Sequence, residues 1–186
     1  MFKNSRIKKL KDQANIIFKS EILSRFSPTE RIEFLQLCHR RRYNEGEFIY
    51  YQGDPGTGMY FIESGCVQLG IPSADPNQHD QIHYRLEAPS SFGALTIGYD
   101  LQRLSSAQCI TDCVLLGFFN PDFETLKKRN PQIALKLLEA ISTIAMKQLE
   151  AVSRKLQEVT DQETAFGTQF NTYYGTGEKR SDDAQS

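Results

Sequence analysis

The residues best suited to chemistry lie in one short segment, between Ser91 and Ala107. A glycine turn at Gly93 is followed by the start of a short helix and, ten residues after the glycine, by Arg103. Main-chain N–H groups at a helix start have no partner within the helix, and glycine lets the backbone approach a ligand closely. Arg103 adds a planar, permanently charged fork of donors. This spacing predicts a cradle for a phosphate group.

The candidate ligand-binding residues all belong to this cradle. The main-chain donors come from Gly93, Ala94 and Leu95, and a serine hydroxyl adds one more. Because Ser105 and Ser106 alternate along a strand, only one of them can face the ligand. The predicted set is Phe92, Gly93, Ala94, Leu95, Arg103, Ser105 and Ser106. The segment offers no catalytic and no metal-ligating residue.

Composition indicates a globular protein of ordinary type. Hydrophobic residues make up 39% and charged residues 24% of the 186, which is typical of a soluble domain with a real core. No apolar run approaches the ~20 residues that span a bilayer, and residues 1–10 lack the apolar block of a secretory signal. We therefore expect a cytoplasmic protein without a membrane span. The cysteines contain no Cys-x-x-Cys pair and are expected to pack as small hydrophobes: Cys38, Cys66, Cys109 and Cys113.

Charge is unevenly distributed along the chain. Residues 1–42 hold eleven basic and four acidic residues, a balance of +7, and the remainder holds eleven and nineteen, a balance of −8. Such asymmetry can mark an arm that binds nucleic acid, acidic lipid or an acidic partner. Binding to nucleic acid would then not depend on base sequence. The favoured interpretation is a solvated helix face, with Arg40, Arg41 and Arg42 at a helix end where cations suit the dipole.

The pattern of turns and apolar runs predicts a β-rich domain between helices. Residues 3–25 are weakly helical, and Ser27-Pro28-Thr29-Glu30 is a strong helix start. From Tyr43 to Asn120, six short apolar runs alternate with turn residues, which favours an all-β barrel or roll. The runs are Phe48–Tyr51, Met59–Ile62, Val67–Ile71, Ile82–Leu86, Ser106–Ile110 and Val114–Phe119.

Two helices are predicted after the roll. Asn120-Pro121 starts a helix to about Arg129, and Asn130-Pro131 starts a much longer one. The long helix ends in a stripe with coiled-coil spacing, Leu149, Val152, Leu156 and Val159, for which a second copy of the chain is the expected partner. The alternative is that this helix folds wholly onto its own domain. The predicted organisation is a basic helical arm (1–26), a β-roll with short flanking helices (27–130), a dimerisation helix (131–162) and a disordered tail (163–186).

The order and spacing of four motifs together resemble the cyclic nucleotide-binding domain family over roughly residues 30–160. The motifs are Gly46-Glu47-x-Ile49-Tyr50-Tyr51-Gln52-Gly53-Asp54, Met59 to Val67, Phe92-Gly93-x-Leu95 with Arg103, and Phe123-x-x-Leu126 before Asn130-Pro131. The resemblance implies a mainly β fold, an antiparallel β-roll or jelly roll with N-terminal helices and a long C-terminal helix. It also implies cAMP or cGMP as ligand, with the long helix as a lid over the base.

The chain departs from that family at Ala94, where the family usually has a glutamate that accepts a hydrogen bond from the ribose 2′-hydroxyl. A hydrogen bond to a charged group contributes about 1.5–3 kcal/mol, so the loss corresponds to roughly 10- to 150-fold in affinity. The family also often has a glycine turn where this chain has Ala88-Pro89-Ser90-Ser91. The acids that can substitute for the lost acceptor are Glu63, Glu87 and Asp100.

Two interpretations from different classes follow. In the first, the chain is a non-enzymatic regulatory module in signal transduction that binds a cyclic nucleotide, or another small phosphate anion, and signals through helix rearrangement in a homodimer. In the second, it is a degenerate scaffold that binds no nucleotide and acts through an unknown protein partner. Sequence-specific DNA binding is not expected, because the polar residues after the long helix are too few to bury the core of an appended winged helix.

A third interpretation, a metal-dependent jelly-roll oxygenase, needs clustered histidine and carboxylate ligands. The chain has only His39, expected in the early helix, and His79 and His83, expected at a loop and a strand. No catalytic triad, phosphate-binding Walker loop or paired carboxylate motif stands out either. We therefore expect neither a metal nor an enzymatic activity.

Overall fold

The structure is a computed structural model that describes residues 19–71 and 83–174. The chain divides into two units, one up to Ser142 and one from Thr143 onward. Four α-helices are formed by the described residues: α1 (Pro28–Gln36), α2 (Asn120–Arg129), α3 (Pro131–Val159) and α4 (Gln162–Tyr174). Within this part of the chain, no helix has both the length and the apolar character needed to cross a bilayer.

Eight strands form two four-stranded antiparallel sheets, which confirms the predicted β-roll with flanking helices. The first sheet has the order β1-β8-β3-β6 and the second β2-β7-β4-β5. The strands are β1 (His39–Tyr43), β2 (Phe48–Tyr50), β3 (Gly58–Ser64), β4 (Cys66–Gly70), β5 (His83–Glu87), β6 (Ser91–Phe92), β7 (Ser106–Cys109) and β8 (Cys113–Phe119).

Strand alternation separates two layers of apolar side chains. One set lies between the two sheets and forms the inner cluster: Tyr60, Ile62, Val67, Phe92, Ala107, Cys109, Cys113 and Leu115. The other projects from the opposite face of the first sheet and includes the buried rings of Phe61 and Phe118. Phe34 of α1 covers that outer face, with its ring centroid 4.5 Å from that of Phe118 and 5.8 Å from that of Phe61.

Helix α1 begins where the sequence predicts. Ser27 Oγ accepts from the N–H of Glu30 at 3.3 Å, and Glu30 Oε2 accepts from the N–H of Ser27 at 2.7 Å, which completes a capping box. The same carboxylate accepts from Lys136 Nζ of α3 at 2.8 Å. The bond from Lys136 and that from Ser27 lower the pKa of Glu30. One side chain therefore both starts α1 and ties it to the helix that follows the roll.

The first strand was not predicted, and it changes the interpretation of the basic residues. Arg40, Arg41 and Arg42 lie on β1, not at a helix end, and His39 also lies on β1 and not in the early helix. Sheet pairing with β8 overrides the polar composition of this stretch. Arg40 forms a two-pronged ion pair with Glu63, with Nε 2.7 Å from Oε2 and Nη2 3.1 Å from Oε1.

Both predicted ends of the chain need correction where the structure describes them. Residues 19–26 contain a 3-10 turn (Glu21–Leu23) and bury Ile22, Leu23 and Phe26, so this part is packed against the domain; residues 1–18 of the predicted arm lie outside the described residues. Helix α4 occupies the first part of the predicted disordered tail (163–186), as far as Tyr174, and residues 175–186 lie outside the described residues. Asp161 supplies the missing start signal, because its carboxylate accepts from the N–H and hydroxyl of Thr164 at 2.8 and 2.7 Å.

Removing the Phe34 ring is expected to destabilise the domain strongly. The ring is fully buried against three other aromatic rings, and truncating a buried phenylalanine to alanine costs about 3–5 kcal/mol. Urea unfolding of Phe34→Ala measures this loss. Ile32→Ala on the same helix is the control, because Ile32 is 50% exposed and its truncation is expected to cost less than about 1 kcal/mol. Equal losses in both variants would contradict the assigned core.

Candidate functional site

The predicted glycine turn lies at the end of β6. Gly93 adopts φ +77°, in the left-handed region that favours glycine, and a single 3-10 turn (Ala94–Thr96) follows it. A methyl group at Gly93 would lie 2.6 Å from Arg103 Nη1 and 3.1 Å from the carbonyl oxygen of Gly58. Glycine is therefore required here both for its backbone conformation and for space. The turn is shorter than the helical start predicted, so the dipole it can offer an anion is small.

Arg103 reaches this corner and is buried there, with 5% of its surface exposed. Nη2 donates to the Gly58 carbonyl at 2.7 Å. Nη1 lies 3.5 Å from the Gly93 carbonyl and 3.4 Å from Thr96 Oγ1. The plane of the guanidinium is covered by Tyr50, whose ring centroid is 4.1 Å from Cζ. Gly93 and Arg103 therefore lie together at one corner, as the sequence predicts.

The guanidinium retains donors and an unbalanced charge. It has five N–H hydrogens, of which the three acceptors above use at most three. Its buried Nε has no hydrogen-bond partner among the described residues, and none of the ion pairs in that part of the chain includes Arg103. A buried cation without a carboxylate partner costs several kcal/mol, and an anion at this corner would lower that cost.

The main chain fixes the segment that carries this arginine. The N–H of Arg103 donates to the Asp54 carbonyl at 2.9 Å, and the N–H of Gly53 donates to the Arg103 carbonyl at 2.9 Å. The N–H of Gly56 donates to the Leu101 carbonyl at 3.1 Å. Backbone bonds on both sides hold the arginine in register, so its guanidinium stays buried without relying on a side-chain ion pair.

Three contributors to the site were missed by the sequence analysis. They are the ring of Tyr50, the hydroxyl of Thr96 and the carbonyl of Gly58. The Thr96 hydroxyl is buried and within hydrogen-bond distance of the Gly58 and Gly93 carbonyls, at 3.1 and 2.9 Å. Burial raises the pKa of Tyr50 to about 12, although the nearby Arg103 charge lowers it in part. These roles depend on strand register and turn geometry, for which the sequence carries no local signal.

The remaining predicted residues lie around the corner with different orientations. Phe92 is buried and stacks on Tyr60, with ring centroids 5.4 Å apart. Ala94 and Leu95 are half-buried on the 3-10 turn. Ser106 Oγ accepts from the N–H of Gln52 at 2.9 Å, so it serves the loop after β2. Ser105, half-buried and two residues from Arg103, is the better candidate for a hydroxyl directed at the ligand.

The acids considered as substitutes at Ala94 face elsewhere. Glu63 lies on the outer face of β3, opposite to Tyr60 and Ile62, and is bound by Arg40. Glu87 pairs with Cys66 on the outer side of the second sheet, since its neighbour Leu86 points to the inner cluster. Asp100 is exposed in the loop after the turn. Inward-facing strand positions in the described residues carry no carboxylate.

The histidines named in the oxygenase interpretation are not gathered at this site. His39 Nε2 lies 2.9 Å from Asp122 Oδ1 at the start of α2. His83 begins β5 and is exposed, and His79 lies outside the described residues. In residues 19–71 and 83–174, no group of three histidine, cysteine or acidic side chains is arranged to hold a metal ion.

Comparison with known families decides the identity of the roll. Residues 40–130 match the family model of the cyclic nucleotide-binding domain. They belong to that family. The match begins on β1 and ends with α2, so it includes both sheets, the glycine corner and Arg103.

Relatives of this cyclic nucleotide-binding domain occur in larger proteins. The chain is 30% identical over 119 residues to the cyclic AMP receptor protein of Thermus thermophilus, covering 63% of this chain and 54% of that protein. It is 22% identical over 135 residues to human cGMP-dependent protein kinase 2, covering 70% and 17%. The solved structure of Thermus thermophilus catabolite activator protein has a TM-score of 0.63 at 25% identity, covering 77% and 62%. The chain thus spans about half of the cyclic AMP receptor protein and less than a fifth of the kinase.

A methyl group at Gly93 is expected to damage the corner specifically. In Gly93→Ala, the left-handed backbone costs roughly 1–2 kcal/mol, and the Cβ also displaces the Arg103 guanidinium. Gly46→Ala is the matched control, since Gly46 has φ +84° and no atom within 4 Å of the added Cβ. Thermal unfolding with and without 10-fold excess cyclic nucleotide compares them. Without ligand, Gly46→Ala should lose only the backbone contribution and Gly93→Ala should lose more, because its Cβ also meets Arg103; only Gly93→Ala should lose the ligand-induced stabilisation. Retained ligand response in Gly93→Ala would contradict the assigned corner.

Proposed function

We propose that the chain is a non-enzymatic regulatory module that binds a cyclic nucleotide, cAMP or cGMP, at the Gly93–Arg103 corner. The observation that carries this proposal is the buried guanidinium of Arg103, which has a free Nε–H and no carboxylate partner. A cyclic phosphate has one negative charge and exposed oxygens, which complements this corner in charge and in hydrogen bonding.

The phosphate is bound by donors that the protein does not use itself. The Nε–H and one Nη2 hydrogen of Arg103 remain after the contacts to Gly58, Gly93 and Thr96. The first N–H groups of the 3-10 turn, which directly follows Gly93, have no partner within that turn. The carbonyl contacts fix the guanidinium in place before the ligand arrives, so less side-chain freedom is lost on binding.

Binding is proposed to be weak, because the sugar is not held by a carboxylate. Ala94 occupies the position from which the family's glutamate reaches the ribose, and Glu63, Glu87 and Asp100 do not face inward. The expected affinity is roughly 10- to 150-fold lower than that of a domain with a glutamate at this position. The names of the relatives support a cyclic nucleotide as ligand. They do not identify its base, since one relative is a cyclic AMP receptor and another is a cGMP-dependent kinase.

The output of the module is proposed to be a homodimer formed through α3. Within the second unit, this helix exposes Met146 (60%), Leu149 (49%), Val152 (64%) and Val159 (65%). Leu149, Val152, Leu156 and Val159 recur at spacings of three and four, which places them on one face. A second α3 helix would bury that face. The ligand then shifts the equilibrium between two states of the dimer, because it binds one state more tightly than the other.

The alternative function, a scaffold that binds no nucleotide, is favoured by one observation. The guanidinium already has three protein acceptors and an aromatic ring over its plane, so part of its donor capacity is used without ligand. In that case the shape of the corner would be structural, and the chain would act through a protein partner.

Calorimetric titration with cAMP and with cGMP tests the proposal. The wild type should bind one of them, Arg103→Ala should lose binding, and Arg103→Lys should bind weakly because it keeps the charge without the fork. Ala94→Glu should bind about 10- to 150-fold more tightly, by restoring an acceptor for the 2′-hydroxyl.

Controls separate the site from general charge effects. Arg42→Ala removes an exposed arginine on β1 and should leave the affinity unchanged. The gain in Ala94→Glu should disappear with 2′-deoxy-cAMP, which lacks the hydroxyl. No heat with either nucleotide at millimolar concentration, in the wild type and in Ala94→Glu, would support the scaffold instead.

Charge on the exposed face of α3 is expected to dissociate the dimer. Val152→Glu places a carboxylate in the apolar seam, where burying it without a partner is costly. Sedimentation velocity should show a dimer for the wild type and a monomer for this variant. Ala151→Glu adds the same charge about 100° around the helix from Val152, outside the apolar face, and should remain dimeric. A monomeric wild type at tens of micromolar would remove this part of the proposal.

A further inference from the structure

The guanidinium of Arg103 lies in a corner that is closed in this structure. Only 5% of Arg103 is exposed, and its Nε atom is buried without a hydrogen-bond partner among the described residues. An anion binds a guanidinium through its N–H groups, so it must come within hydrogen-bond distance of these nitrogens. Binding of an anion to Arg103 therefore requires that one of the groups covering it moves.

The contacts of the guanidinium described above come from four residues that differ in exposure. Gly58 and Thr96 are buried, whereas Gly93 and Tyr50 are half-buried and so lie between the guanidinium and solvent. The Gly93 carbonyl is held in place, because it accepts from Thr96 Oγ1 at 2.9 Å. Of these four residues, only Tyr50 contributes a side chain with exposed surface. A change of its rotamer would uncover the guanidinium without breaking a main-chain hydrogen bond.

The ring of Tyr50 is also more loosely packed than its aromatic neighbours. Its centroid is 6.1 Å from that of Phe92 and 6.4 Å from that of Tyr60, whereas Tyr60 and Phe92 stack on each other at 5.4 Å. Strand β2, which carries Tyr50, has three residues, lies at the edge of the second sheet and shifts its register between Phe48 and Tyr50. The ring therefore has the freedom that the other contacts of Arg103 lack.

We infer that Tyr50 is the gate of the anion site: its ring closes the corner in the absence of ligand and turns away from the guanidinium when a phosphate binds to Arg103. The inference rests on the proposed function, since it takes a phosphate as the ligand of Arg103. The ring attracts the cation at 4.1 Å, so opening the gate costs this cation–π contact. That cost lowers the apparent affinity, because the ligand binds only the open fraction of the protein.

The affinity of variants at position 50 tests the gate. Calorimetry with cAMP and cGMP compares the wild type with Tyr50→Leu, which loses the aromatic face and keeps an apolar side chain. Tyr50→Leu should bind about 2- to 30-fold more tightly, which corresponds to the usual strength of a cation–π contact. A ring that only positions the guanidinium would have the opposite effect, weaker binding in Tyr50→Leu. Tyr51→Leu is the matched control and should bind as the wild type does, since Tyr51 is 55% exposed and stacks on Phe48 at 4.6 Å.

Fluorinated phenylalanines at position 50 separate the attraction of the cation from the shape of the ring. Fluorine withdraws electron density from the ring face and so weakens its attraction for a cation, with little change in size. The affinity for the nucleotide should rise stepwise from Tyr50→Phe through its 4-fluoro, 3,5-difluoro and 3,4,5-trifluoro derivatives. A flat or falling series overturns the gate. This series also keeps the test available if Tyr50→Leu fails to fold, which thermal unfolding would show.

Chemical labelling measures access to Arg103 without any ligand. Phenylglyoxal reacts with arginine side chains that it can reach, and mass spectrometry of peptides locates the label. In Tyr50→Leu, the labelling rate of Arg103 should rise by about 2- to 30-fold, because the same open fraction governs access of the reagent. Arg42, which is exposed on β1, is the internal reference and should react equally in both proteins.

The outcomes separate this inference from the proposed function. Tighter nucleotide binding in Tyr50→Leu, together with faster labelling of Arg103, supports the gate. Unchanged or weaker nucleotide binding in Tyr50→Leu overturns the gate, while binding by the wild type that is lost in Arg103→Ala leaves the proposed function intact. If neither the wild type nor Tyr50→Leu binds a nucleotide, the proposed function fails. Labelling then decides by itself whether the ring closes the corner, and an unchanged rate at Arg103 overturns that as well.

Discussion

The guanidinium of Arg103 is the constraint on which the site depends. It is buried without a carboxylate, and its position is set by the carbonyls of Gly58 and Gly93 and by the ring of Tyr50. Those carbonyls provide partial negative charge but cannot neutralise a full cation. An anion at this corner would supply the missing counter-charge, which is the basis of the proposed ligand site. The left-handed Gly93 follows from the same requirement, because any side chain there would meet the guanidinium.

The two faces of the first sheet deal with charge in opposite ways. On the outer face, Arg40 and Glu63 form a two-pronged pair at 2.7 and 3.1 Å, so each charge is balanced within the fold. At the glycine corner, Arg103 has no such acid, although it is the more deeply buried of the two arginines: 5% of Arg103 is exposed, against 22% of the Arg40 side chain. Position 94 adds to this contrast, because its alanine has no side chain that could accept a hydrogen bond. An internally neutralised pair stabilises structure, whereas an unbalanced cation beside free donors favours a ligand.

The sequence predicts most of the architecture, because turn residues and apolar runs are local signals. Six of the eight strands, the start of α1 and the proximity of Gly93 to Arg103 follow from them. Strand β1 does not, since His39-Arg40-Arg41-Arg42 has no apolar alternation and becomes a strand only by pairing with β8. The role of Tyr50 escapes for a related reason. It depends on register across strands that are distant in sequence, and a shift of one residue would turn the ring to the other face. Thr96 lies on the 3-10 turn, so its contacts depend on the geometry of that turn.

The corner and the helices share one continuous segment. After the 3-10 turn, Thr96 and Ile97 are buried, and Gly98 donates from its N–H to Asn120 Oδ1 at 3.4 Å, at the start of α2. A methyl group at Gly98 would lie 3.2 Å from the ring of Phe123 on α2 and 3.7 Å from Leu138 on α3. Gly98, which lies beside both helices, is thus only five positions along the chain from Gly93. If the proposed anion shifts the turn, the contacts beside Gly98 are the ones through which α2 and α3 would meet that shift.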